Sequence, residues 1–390
     1  MRVPVSGCTP TMNENGTGGP SYCSALPGWL PRWGLSVPAC YWPFSEETRV
    51  NDVTETELWR SLHSLLRGYR SAQVVIACNE LGVFEALTRG AQPAVEVAAR
   101  LGSDPESTRR LLDAGVALGL LIKDGDRYAN AQLAQVCLTP DSPWYIGHLA
   151  SLEAAGYERW GRLAEGVRMG RWPEANRQLE ERSGWVRRFE LGMYDMARVT
   201  APAIAAAIDL PADRALRLLD VGGGHGGYAM AFARRYPNLT ATVFELPAAA
   251  EVAREIIAAG GMGDRVTVQA GDFQRDALGE GYDVALLFGV LVSESPAGRL
   301  DLLGKVHAAL VPGGLVVIRE LWSDAADPVR SLEAALFSLH MLLSNGVGDV
   351  AMLAEARAWL DEAGFEESGE LAVPEWAGSS LLVARKSAGG

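Results

Sequence analysis

The spacing of hydrophobic positions separates a helical first half of the chain from a second half in which strands and helices alternate. From Leu58 to Tyr69, apolar residues recur every three or four positions, which is the spacing of one helix face. Thr54 and Glu57 have the spacing of a capping box, so this helix is predicted to begin there. Its continuous apolar face predicts a packing partner.

The segment from residue 104 to 130 has the pattern of a winged helix. Asp104 caps and Pro105 opens a helix that is predicted to run to Leu118, and a hairpin is predicted over 120–130. A winged helix can bind DNA through this helix, whose charged positions are Glu106, Arg109, Arg110 and Asp113. Two acids and two bases do not favour contacts to phosphate, so no nucleic-acid partner is expected.

Five apolar runs in the second half predict strands, over 218–221, 240–244, 265–269, 282–288 and 315–319. The first strand leads into a glycine-packed turn over 222–227, and helix-forming residues follow from Tyr228. Such a turn lets the backbone approach a ligand closely, as in nucleotide sites. By itself this loop fits NAD as well as S-adenosylmethionine (SAM).

Residues at the ends of the next two strands narrow the choice of ligand. Glu245 ends the second strand, where a carboxylate can accept both ribose hydroxyls of an adenosine. Asp272 and Phe273 follow the third strand and place an acid and an aromatic ring beside the adenine site. This pair favours SAM over NAD. A turn over 311–314 is predicted to feed the fifth strand.

Together these segments resemble the class I, two-domain, SAM-dependent O-methyltransferases of natural-product and plant phenolic pathways. The resemblance runs from about residue 54 to 386 and rests on four motifs: Asp220–Gly226, Phe244–Pro247, Gly271–Phe273 and Val311–Gly314. It implies an α/β fold in which a Rossmann-like SAM-binding domain follows an N-terminal winged-helix dimerisation domain. The implied divisions are 53–142 for the winged helix, 143–208 for a helical bridge and 209–386 for the SAM-binding domain.

The resemblance also implies partners and contact residues. It implies a homodimer and a small-molecule substrate, whereas the residues alone also allow the first helix to act as an intramolecular lid. The implied cofactor contacts are Asp220, Gly222, Gly224, Gly226, Glu245, Leu246, Asp272, Phe273 and Met193. Asp220 is expected to shape the loop or to meet the methionyl amine.

The helices over 143–169, 185–207 and 329–343 are rich in large side chains that can form the wall of an aromatic or polyketide-like pocket. The expected substrate contacts are Trp160, Phe189, Phe337, Met341 and Val292. Aromatic residues at helical spacing are also typical of a core, so a structural role stays open for each of them.

One position departs from the family. Its members use a His after the fourth strand as general base, and here that position is Val292, which cannot accept a proton. The candidates to replace it are His340, then His148, and Glu294 if burial raises the pKa of its carboxyl. His225 belongs to the glycine loop, and His307 is expected on a solvent-facing helix.

Three functions remain open. The first is methyl transfer with another base, or to carbon or nitrogen. The second is a SAM-retaining enzyme for a cyclisation or a hydroxylation. The third is an inactive subunit that dimerises with an active homologue. An NAD-dependent oxidoreductase fits the glycine loop but not the segment Gly271–Phe273.

Composition limits the remaining possibilities. The net charge of −13, without a basic cluster, argues against a polyanionic partner. There is no run of about 18 apolar residues to predict a membrane span. The 5 cysteines are odd in number and lack metal-ligand spacing, so we expect no metal, no disulfide framework and a cytoplasmic location.

The first 52 residues differ from the rest because they show neither helical nor strand periodicity and are rich in proline and glycine. We expect them to form no packed structure and to be either an extension peculiar to this chain or the result of a start site placed too far upstream. The alternative is an aromatic strap that packs on the body through Trp29, Trp33 and Trp42.

Overall fold

A computed structural model of the chain describes residues 54–176, 178, 184–323, 328–378 and 381–388. The predicted extension over 1–52 and its three tryptophans lie outside the described residues. None of the described helices is long and apolar enough to cross a membrane.

The N-terminal region is a winged helix, as predicted. Its helices are α1 (Glu55–Arg67), α2 (Tyr69–Leu81), α3 (Val83–Ala86), α4 (Ala94–Leu101), α5 (Pro105–Ala117) and α6 (Gln132–Cys137). Its small antiparallel sheet has the order β1-β3-β2 and comprises β1 (Gln92–Pro93), β2 (Leu121–Asp124) and β3 (Arg127–Asn130). Phe84, Leu112 and Tyr128 lie in the core of this region.

The predicted helix starts are confirmed. The Glu57 amide donates to Thr54 Oγ1 at 3.3 Å, and the Thr54 amide donates to Glu57 Oε2 at 2.8 Å, which is a complete capping box. The Ser107 amide donates to Asp104 Oδ1 at 2.8 Å. Helix α1 has no buried residue, and Leu65 on its apolar face is 66% exposed.

The helices between and beside the two sheets include α7 (Gly147–Trp160), α8 (Leu163–Met169), α9 (Trp185–Ala207) and α13 (Pro328–Ser344). The prediction of helix throughout 143–169 is wrong, since α7 begins only at Gly147 and the helix is interrupted at Gly161. The late start has a physical reason. The Asp195 carboxylate accepts the amides of His148 and Leu149, which fixes the first turn of α7 against α9.

The C-terminal region is a seven-stranded sheet with helices on both faces. In the order β6-β5-β4-β7-β8-β10-β9, its strands are β4 (Leu216–Val221), β5 (Leu239–Glu245), β6 (Val266–Ala270), β7 (Tyr282–Phe288), β8 (Leu310–Arg319), β9 (Phe365–Leu371) and β10 (Leu381–Lys386). The helices are α10 (Gly227–Arg235), α11 (Pro247–Ala259), α12 (Pro296–Ala309) and α14 (Leu353–Glu362). Five strands are parallel, and β10 pairs antiparallel with β8 and β9.

Sheet topology fixes where a ligand can bind. Strand β4 pairs with β5 on one side and with β7 on the other, so the strand order reverses beside it. In open α/β sheets, ligands bind outside the carboxyl ends of the strands at such a reversal. The glycine loop follows β4 directly and therefore lies at this point.

Two details of the sequence prediction are wrong. The expected turn over 311–314 lies inside β8, where pairing shifts from Tyr282 opposite Leu310 to Val284 opposite Leu315, so the extra residues form a bulge. His307 is half-buried rather than solvent-facing, because its ring packs edge-on against Phe365 with ring centroids 5.0 Å apart.

Removing the Asp195 carboxylate tests how α7 is held. Asp195 is 1% exposed and accepts from two backbone amides and from Arg198 Nη2 at 3.2 Å. We expect Asp195→Ala to lower the free energy of unfolding by about 3 kcal/mol, because buried donors lose their acceptor. His148→Ala keeps both amide bonds and should cost about 1 kcal/mol. Equal losses in urea denaturation would contradict this role for Asp195.

Candidate functional site

The glycine loop after β4 has a backbone that side chains would obstruct. Gly222, Gly224 and Gly226 have φ values of +61°, +47° and +70°. A Cβ on Gly226 would lie 2.8 Å from Ile257 Cδ1, and a Cβ on Gly222 would lie 2.7 Å from Val290 Cγ2. The loop therefore requires glycine for both conformation and space, because its backbone packs closely against the neighbouring side chains.

Glu245 stands at the end of β5, as predicted, and holds the loop. Its Oε2 accepts the Gly224 amide at 3.0 Å, and its Oε1 accepts the Leu246 amide at 2.7 Å. Burial raises the pKa of this carboxyl, and the two amides oppose the rise. The next strand end is close, because the Gly271 amide donates to the Glu245 carbonyl at 2.9 Å.

Asp220 lies beneath the loop, within β4. It is 1% exposed, and neither carboxylate oxygen accepts a hydrogen bond from the described residues. Burial raises the pKa of this carboxyl to about 7, the Ala229 amide opposes the rise, and the charge of Glu245 adds to it. A buried carboxylate without a partner is costly, so this oxygen pair is suited to a positively charged ligand.

Glu190 of α9 is a third acid at the loop, which the sequence analysis missed. It is 5% exposed, and a Cβ on Gly224 would collide with its Oε2. Burial raises the pKa of Glu190 to about 8, the charge of Glu245 contributes, and the His225 amide partly offsets the rise. No motif of the loop marks Glu190, because it stands on a helix that precedes β4 and is distant from the loop in sequence.

His225 of the loop adds no positive charge to this cluster. Burial lowers the pKa of its imidazole to about 4, and Nδ1 accepts the Gly227 amide at 2.9 Å. The ring is therefore neutral near pH 7 and serves to shape the loop.

Asp272 and Phe273 follow β6 beside Glu245, where the adenine was expected. Asp272 Oδ1 accepts the Gln274 amide at 3.0 Å, which fixes this turn. A cavity of about 270 Å³ adjoins it and is lined by Phe273, Gln274, Glu294, Ser295, Gly298, Asp301 and Leu302. Glu294 is buried at this cavity and accepts from Gln274 Nε2 at 3.1 Å.

The predicted substrate contacts come from helices that Arg159 of α7 joins. Arg159 is buried, lies 4.3 Å from the Trp185 ring centroid and donates to Ser344 Oγ at 2.8 Å, so it links α7, α9 and α13. The Phe189 ring lies beside that of Trp185, tilted by 32° with ring centroids 5.9 Å apart. Met193 and Trp160 are half-buried on the helices that Arg159 joins.

Val292 and α13 converge at Gly348. A Cβ on Gly348 would collide with the Val292 carbonyl and would lie 2.7 Å from Met341 Cε. On the same helix, the rings of Phe337 and His340 stack with centroids 5.7 Å apart. Two predicted substrate residues, Val292 and Met341, thus meet at Gly348, and Phe337 and the candidate base His340 contact each other on the helix that carries Met341.

Glu320 is a second acid that the sequence analysis missed. It is buried directly after β8, and its Oε1 accepts the amides of Leu291 at 2.8 Å and Val292 at 3.4 Å. Burial raises its pKa to about 7, against the effect of these amides. Its position after a strand, like that of Glu245, is the signal that could have identified it.

His148 lies away from the glycine loop. Its Nδ1 is 3.0 Å from Asp195 Oδ1, and Asp195 comes five residues after Glu190, about 140° around α9. A second cavity, of about 360 Å³, adjoins it and is lined by His148, Ser151, Gly184, Arg187, Arg188 and Leu191. His148 is thus held on the α7 side of α9.

The described residues fit a nucleoside cofactor with positive charge. A glycine loop lies at a strand reversal, and beneath it lies a buried carboxylate without a hydrogen-bond partner. Among these same residues, no group of three or more His, Cys, Asp or Glu is arranged to hold a metal ion.

The buried acids should make the stability of the ligand-free protein fall as pH rises. A carboxyl whose pKa is raised on folding stabilises the fold below its unfolded pKa, and this contribution is lost as pH rises through the folded value. For Glu190 the window runs from its ordinary pKa of 4.5 to about 8. We expect Glu190→Gln to reduce the loss of unfolding free energy between pH 5 and pH 8 by roughly 2 kcal/mol.

Glu362→Gln makes the same chemical change at an exposed position in α14 and serves as the control. It should leave the pH dependence of wild-type unfolding unchanged. A Glu190→Gln protein that loses stability as steeply as wild type would show that Glu190 ionises freely in the fold.

Comparisons with known proteins agree with this site. The O-methyltransferase domain family matches residues 160–366, and the O-methyltransferase dimerisation domain matches residues 63–140. The chain is 36% identical over 312 residues to a 3-hydroxy-5-methyl-1-naphthoate 3-O-methyltransferase of Streptomyces sahachiroi, with 78% of this chain and 89% of that relative covered. It is 32% identical over 336 residues to the N,N-dimethyltransferase OxyT of Streptomyces rimosus, covering 84% and 96% respectively.

A solved structure gives the same assignment. Human N-acetylserotonin methyltransferase in complex with SAM superposes with a TM-score of 0.75 at 27% identity, covering 87% of this chain and 100% of that one. With a family match over more than half of its length and relatives above 30% identity, this chain belongs to the O-methyltransferase family and is a SAM-dependent methyltransferase with a dimerisation domain.

Proposed function

We propose that this enzyme methylates an oxygen or nitrogen atom of a small aromatic or polyketide-like natural-product intermediate. The observation that carries the proposal is that one helix, α9, faces both the cofactor loop and the aromatic region. Glu190 lies against the loop, and Met193 is on the same helix face. Trp185 and Phe189, whose rings are neighbours, precede Glu190 on α9. The naphthoate and N,N-dimethyl activities of the two bacterial relatives support this acceptor class.

The cofactor residues are part of the same proposal. The backbone at Gly222, Gly224 and Gly226 would accommodate the methionyl part, and Glu245 would bind the ribose hydroxyls. Leu246, Asp272 and Phe273 would enclose the adenine, and Met193 would approach the cofactor from α9. Bound SAM supplies a methyl group on a positively charged sulfur. Its sulfur would keep the electron pair of the carbon–sulfur bond when a lone pair of the acceptor takes the methyl carbon.

The acceptor proton requires a base, and the geometry favours His340. It shares α13 with Met341, which converges on Val292, the family position of the base. Burial, with a smaller contribution from the charge of Arg159, lowers the pKa of His340, so its ring is neutral at pH 7 and can accept a proton. The other two candidate bases have different neighbours. Glu294 accepts from Gln274 and lines the cavity beside Phe273, and His148 lies beside Asp195.

The test is incubation with SAM and a panel of hydroxylated and amino-substituted naphthoates and polyketides, with mass spectrometry of the products. We expect a methylated product. His340→Ala should lower kcat by about 100-fold or more and remove the acidic limb of the pH–rate profile, which should lie below pH 6.5 in wild type. His148→Ala should retain kcat within about 5-fold.

Other outcomes separate the alternatives. Turnover of an acceptor without the gain in mass of a methyl group would indicate a SAM-retaining enzyme of another class. A SAM-binding protein that turns over nothing in the panel, and supports an added homologue, would indicate an inactive subunit. An unchanged acidic limb in His340→Ala would remove His340 as the base, and Glu294→Gln would be examined next.

We infer that α1 forms the contact of a homodimer. The dimerisation domain match begins at residue 63, within α1, and the apolar face of this helix is exposed in a single chain. This face consists of Leu58, Trp59, Leu62, Leu65 and Leu66, and it is followed by the exposed Tyr69 at the start of α2. Such a continuous apolar face is typical of a protein interface.

The double variant Leu62→Glu, Leu65→Glu should convert the dimer to a monomer, because it places charges in a buried apolar contact. Light scattering coupled to size-exclusion chromatography measures the mass. Val167→Glu, on an exposed apolar position of α8, is the control and should remain dimeric. A double variant that stays dimeric would place the contact elsewhere.

A further inference from the structure

Glu190 is the acid at the cofactor loop for which the family motifs give no role. It reaches the loop from α9, a helix that precedes the whole parallel sheet in sequence. It is 5% exposed, and its Oε2 occupies the space that a side chain on Gly224 would need. The helix is fixed at this distance, because a Cβ on Gly227 would lie 3.1 Å from Ala197 Cβ. The approach of Glu190 to the loop is thus built into the packing of α9 on α10.

Three carboxylates meet at this loop without a compensating cation. Asp220 lies beneath Gly223, Glu245 holds the Gly224 amide, and Glu190 lies against Gly224 from the other side. No lysine or arginine of the described chain contributes to the pKa of any of the three, and Asp220 lacks a hydrogen-bond partner there. Like charges buried together are unfavourable unless a positive ligand joins them.

The three acids differ in what they can still accept. Both oxygens of Glu245 already accept backbone amides. Glu190 has only the His225 amide as a donor close to it among the described residues. Its carboxylate is therefore available for a donor with several N–H bonds, and an ammonium group has three. A sulfonium has no N–H bond and gains only the weaker, non-directional attraction of a charge.

We propose that Glu190 is a further cofactor-binding residue, whose carboxylate binds the α-ammonium group of the methionyl part of SAM at Gly224. This inference rests on the proposed function in so far as SAM is the cofactor. It assigns to α9 the recognition of the amino-acid end, and to β5 and β6 the recognition of the nucleoside end. The affinity of a ligand that has the nucleoside but lacks the ammonium group should then not depend on Glu190.

Calorimetric titration of the full chain with three ligands tests this assignment. SAM carries both the ammonium and the sulfonium, S-adenosylhomocysteine carries only the ammonium, and 5′-methylthioadenosine carries neither. We expect Glu190→Gln to raise the Kd of the first two ligands by roughly 10- to 100-fold, because a charge-assisted hydrogen bond is lost. The Kd of 5′-methylthioadenosine should change by less than about 2-fold. Glu362→Gln should bind all three as wild type does.

Each other pattern overturns the proposal. A loss for SAM alone would assign Glu190 to the sulfonium, and an equal loss for all three ligands would show a structural role in holding the loop. Unchanged binding of all three would remove Glu190 from the site. Because 5′-methylthioadenosine reports whether the variant loop is intact, misfolding is recognised directly, and Glu190→Asp should restore part of the lost affinity. Methyl transfer by wild type is measured separately, so failure of the proposed function leaves this comparison valid.

Discussion

The burial of three carboxylates around one backbone loop is the constraint on which the rest of the site depends. Asp220, Glu245 and Glu190 come from two neighbouring strands and one helix, and each has a pKa raised first of all by burial. Without a ligand, the fold tolerates them by keeping part of their protons. A cationic cofactor removes this cost. The buried acids therefore lower the stability of the ligand-free protein and raise its affinity for the cofactor, which is a common arrangement in binding sites. The family's cofactor, SAM, carries the required charge.

Helix α9 connects this loop to the rest of the molecule. One of its faces carries Glu190 and Ala197 against the loop and α10, and another carries Asp195, which holds the first turn of α7. Near its start, Trp185 contacts Arg159, which reaches α13 through Ser344. The cofactor side and the aromatic side are therefore positioned by the same rigid helix. Such sharing is suited to methyl transfer, in which distance and alignment of the reacting atoms dominate the barrier.

Local chemistry made much of this predictable from sequence. The glycines of the loop, Glu245 at a strand end and the capping box at Thr54 follow from short-range rules, and the structure has each of them. Glu190 and the partner of His148 were not predictable, because each depends on how α9 packs against residues distant in sequence. The bulge in β8 was missed because a Pro-Gly-Gly segment normally indicates a turn. Position 292 lacks its His, and only tertiary structure shows that α13 approaches it through Met341 at Gly348.

The number of protons exchanged on SAM binding tests the central claim most directly. Calorimetry at pH 7 in buffers of different ionisation enthalpy measures this number. If Asp220 and Glu190 hold protons in the ligand-free protein and ionise against a cation, binding should release about one proton per site. The release should diminish below pH 5, where the unbound and bound acids are both protonated, and above pH 9, where both are ionised. Binding without proton release at pH 7, or with proton uptake, would contradict the account.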